Sequence, residues 1–288
     1  MAGTERDPST QWDIVSGVGY TALGVAAGRA VESERADRLV HDPYAAALVR
    51  AAGGEQGGAD VGAQIQQFDM HTYLGVRSRY FDEFFGAAGE SGIRQAVVLA
   101  SGLDTRPQRL SWPEGTAVFE IDQPLVLQFK EQVLREQGAT ASCEHHPIET
   151  DLRDDWPSAL LEAGFDRTRP SAWLAEGLLG YLPADAEARL LHTLHEFSAP
   201  GSRVALECYT DLEQLARGRT GQIARELGVD MAELLSFEPR PAPEDVLTGH
   251  GWRIGRDRGQ ELAATWNRAL SEFEREMTDR QYFLTGSL

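Results

Sequence analysis

The spacing of apolar residues changes about a third of the way along the chain. Small and apolar residues dominate Tyr20–Ala30, and Asp42-Pro43-Tyr44 offers a cap and a proline ahead of a helix through Ala45–Arg50. From Tyr73 to Phe85, Val76, Tyr80, Phe84 and Phe85 recur at roughly helical spacing, which predicts an amphipathic helix bearing Arg77 and Arg79. Between these helices, Ala51–Gly62 carries five glycines among small polar residues and reads as a flexible connection, a hinge or loop beside a closing lid. From Gln95 onward the rhythm becomes short apolar runs separated by longer helical stretches, the pattern of βαβ units around a parallel sheet. Five strands are expected, at Gln95–Ala100, Ala117–Asp122, Cys143–Ile148, Ala172–Leu178 and Arg203–Tyr209. Leu125–Gln137 and Asp185–Phe197 read as helices between them, and Pro200-Gly201 marks the turn into the fifth strand. Beyond it come a helical insertion over Asp211–Leu235, a stiff connector at Pro239–Pro243 and a late strand at Gly251–Asp257.

Composition narrows the function classes. With 288 residues, 42% hydrophobic and 25% charged, the chain suits a folded globular protein with a sizeable core. Forty-five acidic against 27 basic side chains give a formal charge of −18, which repels a phosphate backbone and argues against nucleic acid as substrate. Met1–Asp13 is polar without an apolar core of a signal segment, and no run reaches the roughly 18 apolar residues of a membrane span. No membrane partner and a cytoplasmic location are the expectation. Cys143 and Cys208 have no CxxC partner, so two reduced thiols are expected, with neither a disulfide framework nor a zinc site.

Candidate chemistry gathers at strand ends. The first strand runs into Ser101-Gly102-Leu103-Asp104, placing a glycine where the chain turns from sheet to helix and a ligand can come close. Asp122 ends the next strand 20 residues after Gly102, where a carboxylate can accept from both hydroxyls of a ribose; an ordinary strand-end or cap aspartate is the plain alternative. A dinucleotide would need G-x-G-x-x-G, but Ala100 takes the first glycine position, Asp104 and Arg106 are not glycine, and Pro107 follows. An adenosine without phosphates fits better, and S-adenosylmethionine has that character. Asp151-Leu152, after the third strand, offers an acceptor for an adenine amino group and an aliphatic cover for its ring, with a helix cap as the alternative for Asp151. Glu176 lies within the apolar run Trp173–Leu179, where a carboxylate is costly unless a cationic ligand group or a structural ion pair compensates it.

These residues fall in stretches that, taken in order, closely resemble the leucine carboxyl methyltransferase superfamily, and within it an actinobacterial branch of S-adenosylmethionine-dependent methyltransferases. The stretches are HDPY (His41–Tyr44), VRSRYFDEFF (Val76–Phe85), LASGLDTRPQRL (Leu99–Leu110), FEIDQP (Phe119–Pro124), DLRDDWP (Asp151–Pro157) and AEGLLGYLP (Ala175–Pro183), and the likeness runs from about Gly17 to Tyr209. It implies an α/β fold, a class I methyltransferase Rossmann-like sheet, mostly parallel, with an N-terminal helical cap. The cap or lid would span residues 1–90, and the S-adenosylmethionine-binding domain, with its insertion near 211–235, residues 91–288. It further implies that Arg77 pairs with the cofactor carboxylate, Gly102 lies beside it, Asp122 holds the ribose, and Asp151 and Leu152 bind adenine. Glu176 would sit near the amino-acid or sulfonium end, with Tyr181 near the reaction and core packing as its alternative. The family loop usually carries alanine or glycine where this chain has Ser101, and glycine where it has Ala100; both replacements are small enough to keep the cofactor. Arg79 is either a second substrate-facing cation or part of a solvated face.

Methyl transfer from a sulfonium needs no metal, since orientation of the two reactants contributes roughly 7–11 kcal/mol. The expected acceptor is a small molecule, a carboxylate in preference to a phenol, because the motif positions Arg77, Glu176 and Tyr181 include no histidine base, although one such as His71 could fold into the pocket. An NAD-dependent oxidoreductase, disfavoured by the missing glycines, and a cofactor-binding module without turnover are the rival readings. Oligomeric state is not legible.

Overall fold

The computed structural model describes residues 17–53, 70–226 and 229–288. Its strands are β1 (Gln95–Leu99), β2 (Ala117–Asp122), β3 (Glu144–Glu149), β4 (Ala172–Ala175), β5 (Arg203–Tyr209), β6 (Arg253–Asp257) and β7 (Gln281–Ser287). They form a single sheet in the order β3-β2-β1-β4-β5-β7-β6. β1 to β5 pair in parallel, and β7 runs antiparallel to both β5 and β6. The chain leaves β1 toward β2 on one side and later returns as β4 on the other. A ligand crevice therefore opens at the carboxyl ends of β1 and β4, where the order reverses.

All five predicted strands and the late one are present, and the class I methyltransferase sheet, mostly parallel, stands as expected. Two differences matter. The run predicted as a strand to Leu178 leaves the sheet after Ala175, because Gly177 turns with φ +64, so Glu176 lies just past a strand end and not inside one. β7 is absent from the sequence reading: its apolar core is only Tyr282-Phe283-Leu284, and Gly286 reads as a breaker. Gly286 is instead required, since a Cβ there would meet Val204 and Ile254 at 2.8 and 2.7 Å.

Helices flank the sheet in chain order: α1 (Gly17–Ser33), α2 (Ala45–Ala52), α3 (His71–Glu90), α4 (Arg106–Arg109), α5 (Pro124–Glu136), α6 (Trp156–Glu162) and α7 (Ala184–Glu196). Then follow α8 (Leu212–Arg217), α9 (Arg219–Glu226), α10 (Met231–Leu234), α11 (Pro243–Gly249), α12 (Gly259–Thr265) and α13 (Glu272–Thr278). The predicted insertion is thus the three short helices α8 to α10. Of the expected connection Ala51–Gly62, residues 51–53 close α2 and the rest lies outside the described residues.

Strand alternation splits the core. Val98, Leu174 and Phe283 meet Phe81, Phe84 and Phe85 of α3 on one face, while Val97, Trp173 and Val204 meet Trp156, Leu191 and Leu247 on the other. Although the sequence places α3 in the cap, it packs directly on the sheet. Against α3 lies α1, so close that a Cβ at Gly28 would collide with Leu74 and one at Gly75 would sit 2.8 Å from Glu32. A third cluster joins α1, α2 and α5 through Leu23, Leu48 and Val133. Among the described residues no helix is long and apolar enough to cross a membrane, and Cys143 and Cys208 are both free.

Where β1 ends, Ala100 adopts φ +50, a left-handed conformation that costs a residue with a Cβ roughly 1–2 kcal/mol. Ala100→Gly relieves that strain but frees the unfolded chain by about 0.4–1 kcal/mol. The expected net gain is a few tenths to about 1 kcal/mol, read as a higher urea midpoint with an unchanged slope.

Candidate active site

The turn after β1 is held by its neighbour β2. Ser101 N donates to Ile121 O at 3.2 Å, and Gly102 N donates to Asp122 Oδ2 at 2.6 Å, with Gly102 at φ +53. Asp122 Oδ1 accepts from Gln123 N at 2.7 Å. Burial pushes the Asp122 carboxyl above its ordinary range, against the pull of these two amides. Ser101 is buried, and its hydroxyl accepts from Lys130 Nζ at 3.3 Å, while that ammonium also holds Glu120 at 2.9 Å. The Ser101 hydroxyl thus ties the turn to α5.

Over these strand ends lies a cleft of about 1040 Å³, and all seven residues singled out in the sequence line it: Arg77, Gly102, Asp122, Asp151, Leu152, Glu176 and Tyr181. Asp151 accepts from the Arg153 backbone at 2.8 Å and from its guanidinium at 2.9 and 2.6 Å. Burial raises its carboxyl, but the Arg153 bonds outweigh this and hold it below the ordinary range. Leu152 packs on the edge of the core beside it. Tyr181 ends a short 3-10 helix, Leu179–Tyr181, with its hydroxyl 3.5 Å from Thr21 of α1, and burial raises its pKa.

Arg77 and Glu176 are partners of each other, at 2.8 Å, and both belong to a larger network. Arg77 also meets both oxygens of Glu207 at 3.2 Å, and Arg106 bridges Glu176 at 2.9 Å, Asp82 at 2.7 Å and its own neighbour Asp104. Arg109 completes the set on Asp82 at 2.6 Å. Three guanidinium groups therefore face four carboxylates, leaving one negative charge in surplus beside the cleft. Charge of that sign suits a ligand whose sulfonium, ammonium and carboxylate sum to one positive charge.

Glu207, Asp104, Arg106, Tyr73 and Tyr209 are missed by the sequence reading. Glu207 is fully buried on β5, on the face toward α3, and accepts from Tyr73 Oη at 2.9 Å, Gly177 N at 2.6 Å and Gln281 Nε2. The signal was available: Glu207 interrupts an apolar strand as Glu176 interrupts its own run. Arg79 pairs with Glu83 at 2.7 Å, covers Trp266 at 4.6 Å and lines no part of the cleft, so the solvated face is its place. Next to the cleft a second cavity of about 210 Å³ shares the wall made by Thr21, Val25, Arg77, Tyr181 and Tyr209. His71 lines this cavity, with Arg35 Nη1 3.3 Å from its Nε2. Glu120, Glu131 and His145 bring ligand atoms within 4.8 Å of one another, but the Lys130 ammonium already occupies Glu120.

A sheet reversed at β1 and β4, with a glycine turn and an acidic strand end at the reversal, is Rossmann-like, and β7, antiparallel between β5 and β6, gives it the class I methyltransferase form. Residues 22–195 match the model of the leucine carboxyl methyltransferase family. A Saccharopolyspora erythraea protein named "putative S-adenosyl-L-methionine-dependent methyltransferase" is 54% identical over 91% of this chain and 92% of its own. One of the same description from Rhodococcus jostii is 45% identical over 98% and 99%. A crystal structure of a Thermobifida fusca protein titled "putative methyltransferase" superposes with a TM-score of 0.55 at 21% identity, covering 84% of this chain and 93% of that one, which shows the fold. The chain belongs to the leucine carboxyl methyltransferase family and is an S-adenosylmethionine-dependent methyltransferase. That membership sets it apart from NAD-dependent oxidoreductases.

The ion network sets a pH dependence. Burial raises Asp42 and Asp104, but Arg29 and Arg109 beside Asp42, and Arg106, Arg109 and Arg29 beside Asp104, outweigh it and hold both carboxyls below the ordinary range. With unfolded carboxyls near 3.9, their contribution is complete above about pH 5 and decays as pH falls through 3.9 toward the folded values. Denaturation between pH 6 and pH 2.5 should show that loss, and Asp104→Asn should flatten it. Glu207→Gln replaces one of two acceptor oxygens with a donor amide among Tyr73, Arg77, Gly177 and Gln281, which all donate to it, and each buried donor left unpaired is expected to cost about 1–3 kcal/mol, read by urea at pH 7.

Proposed function

We propose that this methyltransferase acts on an oxygen of a small molecule, a carboxylate in preference to a phenol. The observation that carries the reading is the composition of the wall common to the cleft and the smaller cavity. Its titratable groups among the described residues are Arg77, Tyr181 and Tyr209. Arg77 is a fixed cation, and burial raises both phenols, so none of them takes a proton at neutral pH. Glu207 behind them has its oxygens filled by Tyr73, Arg77, Gly177 and Gln281. His71 stands about 9 Å along α3 from Arg77, six residues at 1.5 Å each.

An acceptor that is already ionised suits a wall without a base. When bound, S-adenosylmethionine supplies a methyl carbon on a sulfonium, and its transfer to a carboxylate oxygen forms an O–C bond as the C–S bond breaks, with no proton to remove. In this reading Asp122 holds the ribose hydroxyls, Gly102 allows close approach, and Asp151 with Leu152 frames the adenine. Glu176 faces the ammonium or sulfonium end, while Arg77 faces the amino-acid carboxylate. Tyr181, whose hydroxyl makes a long contact to Thr21 among the described residues, donates to one acceptor oxygen and leaves the other to react. Closure of α1 over both ligands excludes water. A cytoplasmic location, where Cys143 and Cys208 would stay reduced, belongs to the same reading.

Product chemistry tests the acceptor: a methyl ester releases methanol in mild alkali, whereas an aryl methyl ether survives. The expected product is alkali-labile, and a stable one would remove the carboxylate assignment. Asp122→Ala should weaken S-adenosylhomocysteine about tenfold to a few hundredfold by calorimetry, since hydrogen bonds to a charged group contribute roughly 1.5–3 kcal/mol each. Unchanged affinity in a folded variant would end the ribose assignment.

A further inference from the structure

The smaller cavity is built differently from the cleft. It runs between the antiparallel α1 and α3, from Thr21 and Arg77 at the shared wall to Val31 and His71 at the other end. Ten residues of α1 separate Thr21 from Val31, about 15 Å of helix. Polar groups, Arg77, Tyr181, Glu207 and Gln281, gather at the cleft end. Away from it the lining is mostly apolar, with Val31 from α1, Leu215 and Ile223 from the insertion, Met231, and Phe273 and Met277 from α13, and with Thr220 and His71 as its polar members.

Two glycines on α1 lie in this cavity's lining and have opposite surroundings. A Cβ at Gly28 would strike Leu74, so that glycine serves helix packing. Among the described residues a Cβ at Gly24 would meet nothing within 4 Å. Gly24 belongs to the lining of the small cavity and not of the cleft. A glycine in mid-helix costs about 0.8–1 kcal/mol against alanine, and neither packing nor a turn requires one here. What the missing side chain provides is space in the chamber.

From this we infer that the chamber along α1 receives the body of the methyl acceptor and that this body is narrow and apolar, lying against Gly24. Resting on the carboxylate reading above, the substrate class is then a monocarboxylic acid with an apolar chain, its carboxylate at Tyr181 and its chain directed toward Val31. A second charge midway along the chain would lie among apolar side chains, His71 standing only at the far end.

The test uses the full chain saturated with S-adenosylhomocysteine and titrated with unbranched monocarboxylates from butanoate to dodecanoate. Each added methylene buried in the chamber should tighten binding about threefold to fourfold until the chamber is full. Gly24→Leu should weaken the longest bound acid at least about tenfold, with S-adenosylhomocysteine affinity within about twofold of the parent and a melting temperature no lower, because leucine is the better helix former. Affinity that does not depend on chain length, or that Gly24→Leu leaves unchanged, would overturn the chamber assignment. Because these titrations need no turnover, the carboxylate reading fails separately: acids that bind with the expected chain-length dependence yet give no methyl ester with S-adenosylmethionine would strike that reading alone.

Discussion

One buried carboxylate holds the site together. Glu207 on β5 is reached from α3 by Tyr73 and Arg77, from the turn after β4 by Gly177 and from β7 by Gln281. Three elements that are distant in sequence therefore converge on a single side chain of a fourth. An uncompensated carboxylate at that depth would be prohibitively costly, so the strand, the helix and the turn must arrive in register for any of them to be stable. Gly177 illustrates the constraint: its positive φ aims its amide at Glu207, and the same turn takes Glu176 out of the sheet to meet Arg77 and Arg106.

The electrostatics of the site follow from that convergence. Positive charge comes from α3 and α4, negative charge from strand ends and from Asp82 and Asp104, and the sum leaves the cleft one charge short of neutral. A protein of net charge −18 does not need such a network for solubility. Its members are buried, so salt screens them little, and their geometry fixes where a cationic ligand would be favoured.

Much of this was legible in the sequence, and the reasons are local. Strands β1, β2, β4 and β5 announce themselves because a parallel sheet covered on both faces demands near-continuous apolar runs, whereas β3 is a largely polar edge strand. Asp122 and Gly102 are separated by one βαβ step, so their spacing alone brings them together, and the hydrogen bond between them is the result. β7 was invisible because its stability comes from two antiparallel neighbours and from a glycine that only tertiary packing explains. Glu176 was placed in a strand because apolar periodicity cannot register a single left-handed glycine. The partners of Arg77 were not legible either, since pairing across 130 residues depends on topology and not on spacing.

The crossing of α1 over α3 carries a thermodynamic consequence. Thr21 and Val25 of α1 face the cleft and the chamber at once, while farther along the same helix Gly28 is pressed against Leu74 and Arg29 is paired with Asp42. The helix is thus fastened at one end and is a partition at the other. Any free energy that one ligand spends or gains in setting this partition is felt by the ligand on its opposite side. By linkage the effect is reciprocal: the factor by which cofactor alters acceptor affinity is the factor by which acceptor alters cofactor affinity.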